Sequence, residues 1–239
     1  MSDNLINVSD LEVTYGPAQA LFGVSLSAKR GEVVAILGAN GAGKSSLARA
    51  ISGLVPSESG TVEFNGEDIT NKAPYQIRRA GLTYIPEGRG IFPGLSVTEN
   101  LRMAVVQVKR SERKEAMDRA MEHFPILGQR GNQRAGSLSG GEQQMLALAR
   151  ALAVTPQLII ADEMSLGLAP IVTEEVFQSL ERARNEGITI LLIEQFVHRA
   201  LQLADRAVIL SRGHLTWSGA AADAGAEVLE NYLGAGAQA

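Results

Sequence analysis

Residues 33–45 read VVAILGANGAGKS, and the order of these residues decides the fold. Val33–Leu37 is a short, wholly apolar run, as expected of a strand buried on both faces. Gly38, Ala39, Asn40, Gly41, Ala42, Gly43, Lys44 and Ser45 follow at once and fit GxxxxGK(S/T). Ser45–Ser52 then reads as a helix closed by Gly53 and Pro56. The glycines let the backbone wrap so that successive N–H groups face phosphate oxygens. In such a loop Lys44 reaches the β- and γ-phosphates, and the Ser45 hydroxyl ligates Mg²⁺. A Gly-rich turn capping a helix is the plain alternative, and the strand–loop–helix context stands against it.

Two further stretches carry chemistry. Leu158–Ala161 is an apolar strand that ends in Asp162 and Glu163, and open α/β sheets build ligand sites at such carboxyl ends. Asp162 is expected in the Mg²⁺ shell, and Glu163 is expected to orient and deprotonate the attacking water. A helix cap ahead of Ser165 is the competing explanation for the two acids. Leu138, Ser139, Gly140, Gly141, Glu142, Gln143 and Gln144 place a hydroxyl and two unobstructed glycine amides before a helical pattern that starts at Glu142. Unpaired amides and the positive end of a helix dipole suit an anion. An ordinary Gly-Gly turn with a cap would have the same composition, so the second phosphate site at residues 38–45 is what favours the anion.

Outward from these motifs the opening third is β-rich. Leu5–Val8, Leu11–Tyr15 and Gly23–Ala28 cluster or alternate apolar residues, and Gly60–Asn65 with Gly66 ends like a hairpin. Val97–Met121 turns helical, with Met117, Ala120, Met121 and Phe124 on one face and Pro125 as the stop. Helix resumes over Gln143–Val154 until Pro156. Strand Leu158–Ala161, helix Ile171–Asn185, strand Ile188–Ile193, helix Val197–Ala204 and strand Ala207–Leu210 follow. Such alternation predicts an α/β fold with a largely parallel sheet and a helical insertion. The small-residue tail Gly234–Ala239 is expected to fray.

Composition narrows the class. The 239 residues are 45% hydrophobic and 20% charged, ordinary for a soluble globular chain. No signal-like segment and no apolar run near the ~20 residues of a membrane span is read. The absence of cysteine excludes disulfides and thiolate metal sites and fits a reducing cytosol. A net charge of −4 offers no bulk attraction to nucleic acid, so Arg78–Arg79 and Lys109–Arg110 read as solvated faces. His123, His198 and His214 show no metal-ligand spacing.

With these elements in order, the chain resembles an ATP-binding cassette (ABC) ATPase over almost its whole length. Leu138–Gln144 is similar to that family's signature motif, and Ser165–Leu168 stands where its D-loop follows the catalytic glutamate. GANGAGK, YIPEGRGIFPGLSVTENL, SGGEQQMLALARAL, SLGLAP and LLIEQ with ALQLADRAVIL resemble one branch, the second ATPase of bacterial branched-chain amino acid importers. The resemblance implies one nucleotide-binding domain over residues 1–239. It has a P-loop NTPase (RecA-like) mixed-sheet core with an N-terminal antiparallel β subdomain over 1–87 and 156–239. A helical subdomain with the signature spans 88–155. ATP and Mg²⁺ are the implied ligands. Tyr15 takes the place of the aromatic that stacks on adenine, and Gly38–Lys44, Ser45 and Ser46 hold phosphates. Ser139, Gly140 and Gly141, flanked by Leu138 and Glu142, would touch nucleotide bound to a partner subunit.

Some positions depart from the general family pattern. Glu87 stands where a Gln normally contacts Mg²⁺ and water, and a carboxylate ligates Mg²⁺ as well. Gln195 replaces the switch histidine; it can donate a hydrogen bond but cannot be a cation. Both replacements are usual in the branch, as is Ala39, whereas Met164 replaces the usual Pro after the catalytic glutamate, and Ser46 for Thr is a mild change. The resemblance further implies a second, distinct ABC ATPase subunit, transmembrane permease subunits and, indirectly, a solute-binding protein. The chain would sit in the cytoplasm on the inner face of the membrane. Relatives serving urea, amides or aromatic acids are the alternatives for cargo. An ATP-holding regulatory module, and a non-transport ABC ATPase acting on ribosomes or DNA, are alternatives for class. The single cassette and acidic balance oppose the nucleic-acid reading.

Overall fold

The computed structural model describes residues 3–225, so the expectation for the Gly234–Ala239 tail lies outside the described residues. In chain order the elements begin β1 (Asn4–Tyr15), β2 (Ala18–Lys29), β3 (Val33–Leu37), α1 (Lys44–Ile51), β4 (Ser59–Phe64) and β5 (Glu67–Asp68). Then come α2 (Pro74–Arg79), β6 (Leu82–Ile85), α3 (Val97–Ala104), α4 (Arg113–His123), α5 (Pro125–Gln129) and α6 (Gly140–Leu152). The chain closes with β7 (Leu158–Asp162), α7 (Pro170–Asn185), β8 (Thr189–Ile193), α8 (Val197–Leu203), β9 (Arg206–Ser211) and β10 (His214–Ala220). The described residues form two compact units: one of 3–84, 157–163 and 184–225, the other of 85–156 and 164–183. The helical unit thus takes in residues 164–183 as well as the insertion expected at 88–155.

The first unit holds two sheets. One is antiparallel in the order β2-β1-β4-β5; the other is mixed, in the order β10-β9-β3-β8-β7-β6. Strands β3, β7 and β8 are buried at every residue, and β3 pairs in parallel with both β8 and β9. Continuous apolar sequence is what a strand covered on both faces requires. β10 is the antiparallel edge, with alternate residues exposed. The sequence reading missed β10 and β6: the first is half polar, and the second is only four residues long. β1 is one strand where two were expected, because Ser9 and Asp10 form an irregularity in the register rather than a break. Leu5, Ile6, Leu11, Leu21, Leu47, Ile51 and Phe64 fill the shared core.

In the second unit α3, α4 and α5 all pack on α6. The single helix expected over Val97–Met121 is two, α3 and α4, with a short 3₁₀ turn at Val105–Gln107. Three valines within four residues (Val105, Val106, Val108) lose side-chain freedom in a helix, which weakens it there. The buried stripe of α4 is Ala116 and Ala120 with Phe124 beyond it, while Met117 and Met121 are only half-buried. Alanines let the α4 backbone come close to α6. α4 ends at His123, with Phe124 out of the helical region (φ −139°, ψ 81°) ahead of Pro125, and Pro125 itself takes the first position of α5, where its missing N–H costs nothing.

Candidate functional site

The first unit gathers its polar groups at the carboxyl ends of β3, β7 and β8. The loop Gly38–Gly43 leaves β3 and enters α1 through Gly43, whose φ of 105° is left-handed. A Cβ on Gly43 would lie 2.8 Å from Leu21 Cδ2, so neither the backbone nor the space admits another residue. Ala39, Asn40 and Gly41 form the exposed tip. Behind it, Gly213 N–H donates to Ala42 O at 2.9 Å, so the β9–β10 turn braces the loop. Lys44 is 4% exposed; its Nζ donates to Gly38 O (2.9 Å) and Ala39 O (3.2 Å) and lies 3.8 Å from Glu163 Oε1. Ser46 follows on α1, half-buried.

Asp162, the last residue of β7, is fully buried. Its Oδ1 accepts from Ser45 Oγ at 3.2 Å and its Oδ2 from Tyr84 Oη at 2.8 Å. Burial, and then the Asp162 charge, push the Tyr84 hydroxyl well above its ordinary pKa. Glu163 turns out of the sheet at φ 50°, unusual for a residue with a side chain, while its N–H donates to Ile193 O at the end of β8 (2.9 Å). Just past β8, Gln195 Nε2 donates both to Glu163 Oε2 and to Asn40 Oδ1, each at 3.0 Å. One carboxamide therefore links the loop tip to the acid. Tyr15 ends β1 and is 41% exposed.

Ser45 and Asp162 are hard oxygen donors held side by side, the donor chemistry that suits Mg²⁺. Among the described residues no group of three or more His, Cys, Asp or Glu is placed to hold a metal. An ion here would take its other ligands from phosphate oxygens and water, as Mg²⁺ at nucleotide sites does. His123 is occupied instead with Ser179 (Nδ1 to Oγ, 3.2 Å), and His214 stacks on Phe22.

The second unit carries the signature and Glu87. α6 starts at Gly140, two residues earlier than read from the sequence. Ser139 is its cap: Ser139 Oγ accepts from Glu142 N (3.3 Å), and Glu142 Oε2 accepts from Ser139 N (2.8 Å). Glu142 Oε1 also meets Arg130 Nε at 2.9 Å. Gly140 and Gly141 occupy the first turn, whose amides have no partner within the helix. A Cβ on Gly141 would lie 2.5 Å from Val172 Cγ1. Arg89 presses on Gly140 and donates to Gln143 Oε1. Leu138 is buried, Glu87 exposed, and Met164 Sδ accepts from Gln144 Nε2 at 2.9 Å.

Two groups at the first-unit site escaped the sequence reading: Tyr84, and Arg49 on α1. The only signal was a hydroxyl-bearing aromatic at the third place of the short strand LTYI.

A phosphate loop beside a strand that ends in two acids, on this sheet, defines a P-loop nucleoside triphosphate hydrolase. The ABC transporter family profile matches residues 21–165. The chain is 42% identical over 232 residues to the high-affinity branched-chain amino acid transport ATP-binding protein BraG of Pseudomonas aeruginosa, covering 96% of this chain and 100% of that one. It is 37% identical to the probable branched-chain amino acid transport ATP-binding protein LivF of Archaeoglobus fulgidus, over 91% and 92% of the two chains. Among solved structures, the dimeric ATP-binding cassette MJ0796 bound to ADP and Pi superposes with a TM-score of 0.82 at 26% identity, over 90% of this chain and 98% of that one. The chain belongs to the ABC transporter family and is an ATP-binding, ATP-hydrolysing subunit of a transporter. Among the described residues no helix is long and apolar enough to cross a membrane.

Proposed function

We propose that this chain energises a bacterial importer of branched-chain amino acids. One observation carries the catalytic part: Lys44, Ser45, Asp162, Glu163 and Gln195 converge at the ends of three adjacent buried strands. In this reading the amides of Gly38, Ala39, Asn40, Gly41, Ala42 and Gly43 and the Lys44 ammonium cradle the phosphates, with Ser46 beside them and Tyr15 against adenine. Ser45, Asp162 and Glu87 would hold Mg²⁺, which supplies neutralisation of phosphate charge. Glu163 takes a proton from the attacking water as general base. Gln195 holds that carboxylate in place through Nε2 and, being neutral, leaves its negative charge available for proton abstraction.

The dimeric relative and the paired glycine amides at the start of α6 support a head-to-tail pair of cassettes. Ser139, Gly140 and Gly141 of each subunit, positioned by Leu138 and Glu142, would contact nucleotide held by the other. The partner is a second, distinct ATPase subunit, and permease subunits tie the pair to the inner face of the membrane beside a solute-binding protein. The identity to two branched-chain amino acid transport proteins supports the cargo.

Glu163→Gln tests the chemistry. Phosphate release should fall by at least ~100-fold, the usual worth of a general base, while equilibrium ATP binding persists. Turnover near that of the unaltered chain would take the base role from Glu163. Labelled leucine uptake in vesicles carrying the neighbouring permease and binding-protein genes tests the cargo; uptake of urea or an amide instead would reassign it.

A further inference from the structure

Ser45 and Arg49 stand four residues apart on α1, and side chains at that spacing share one helix face. Ser45 donates to Oδ1 of Asp162. Arg49 lies beside Tyr84, whose hydroxyl donates to Oδ2 of the same carboxylate at 2.8 Å. Arg49 also meets the Tyr15 hydroxyl at the end of β1. One turn of helix thus grips both members of the Asp162–Tyr84 pair.

The direction of each bond follows from the donor inventory. A guanidinium has five N–H donors and no acceptor, so Arg49 beside Tyr84 cannot take the phenolic proton. The single phenolic proton is thereby left to point at Asp162, and Oδ2 is anchored. Oδ1 remains the oxygen beside Ser45. The geometry points to Tyr84 as a positioning residue that selects which oxygen of Asp162 serves the metal side, with Arg49 setting the direction of its hydroxyl. This rests on the reading of Ser45 and Asp162 as the Mg²⁺-holding pair.

The test is metal affinity, with Mn²⁺ as the paramagnetic probe, titrated into the full chain with the non-hydrolysable analogue AMP-PNP and read by electron paramagnetic resonance. Tyr84→Phe keeps the ring and removes the donor; Mn²⁺ affinity in the nucleotide complex should fall roughly five- to tenfold, the net worth of one typical hydrogen bond. Analogue affinity without metal should stay within about twofold, since no nucleotide contact is removed. Arg49→Met, on an exposed side chain, should weaken Mn²⁺ by roughly two- to threefold, and it decides the matter if Tyr84→Phe does not fold. Asp162→Asn is the control. If it weakens Mn²⁺ while both other variants do not, Tyr84 is packing only and the inference fails, whatever happens to the melting temperature. If Asp162→Asn leaves Mn²⁺ affinity unchanged, the metal reading itself falls and this inference with it.

Discussion

Helix α1 in the first unit and helix α6 in the second both open on glycines beside a serine, and they are held in place differently. The residues around α1 rely on distant partners: Ser45 on Asp162, Lys44 near Glu163, and Ala42 on Gly213. The start of α6 closes on itself, with Ser139 and Glu142 satisfying each other three residues apart. Its further contacts stay within its own unit: Gly141 yields space to Val172, Arg89 presses on Gly140, and Arg130 meets Glu142. A loop assembled from distant strands is preorganised for chemistry, whereas a self-capped helix start fixes its amides through residues of its own first turn.

Lys44→Ala should separate the two regions most widely. Deleting a charge-assisted phosphate contact should weaken ATP binding by about 1.5–3 kcal/mol, or about 10- to 100-fold in a calorimetric titration. Unchanged affinity would break the contrast, because α1 would then not be a phosphate site. Gly141→Ala should act on stability instead. Its methyl meets Val172, so denaturant unfolding should show a loss of roughly 1–3 kcal/mol, recovered in part by adding Val172→Ala. ATP affinity at the α1 loop should be untouched in both, and no rescue would mean that the close approach is not what requires glycine. Ser139→Ala should have the smallest effect on folding, about 1 kcal/mol for a lost cap. If that variant loses turnover out of proportion to stability in the assembled pair, the serine does more than cap its own helix.

The strongest sequence signals came from elements whose physics is local. Val33–Leu37 and its glycine loop, and the apolar runs of β7 and β8, could be read because periodicity and loop chemistry act within a few residues. Where the expected helix over Val97–Met121 broke into α3 and α4, three valines marked the spot, but propensity alone is a weak guide against helical periodicity. Met117 and Met121 looked like the buried face because they are large and apolar. Packing kept Ala120 and Phe124 of the expected face, added Ala116 and left the two methionines half-buried, a matter of distance to α6.

At the site, residue types and order were determined by sequence alone: a phosphate loop, two acids ending a strand, a glutamine in place of a histidine. Which groups touch which was a tertiary matter. Gln195 bonds Glu163 and Asn40, and Tyr84 bonds Asp162, across 32, 155 and 78 positions of chain. A hydrogen bond needs its donor and acceptor within about 3 Å and in line, and sheet order sets that distance where spacing along the chain does not. The strand order that brings β7 between β8 and β6 is what delivers Gln195 to one side of the acid pair and Tyr84 to the other.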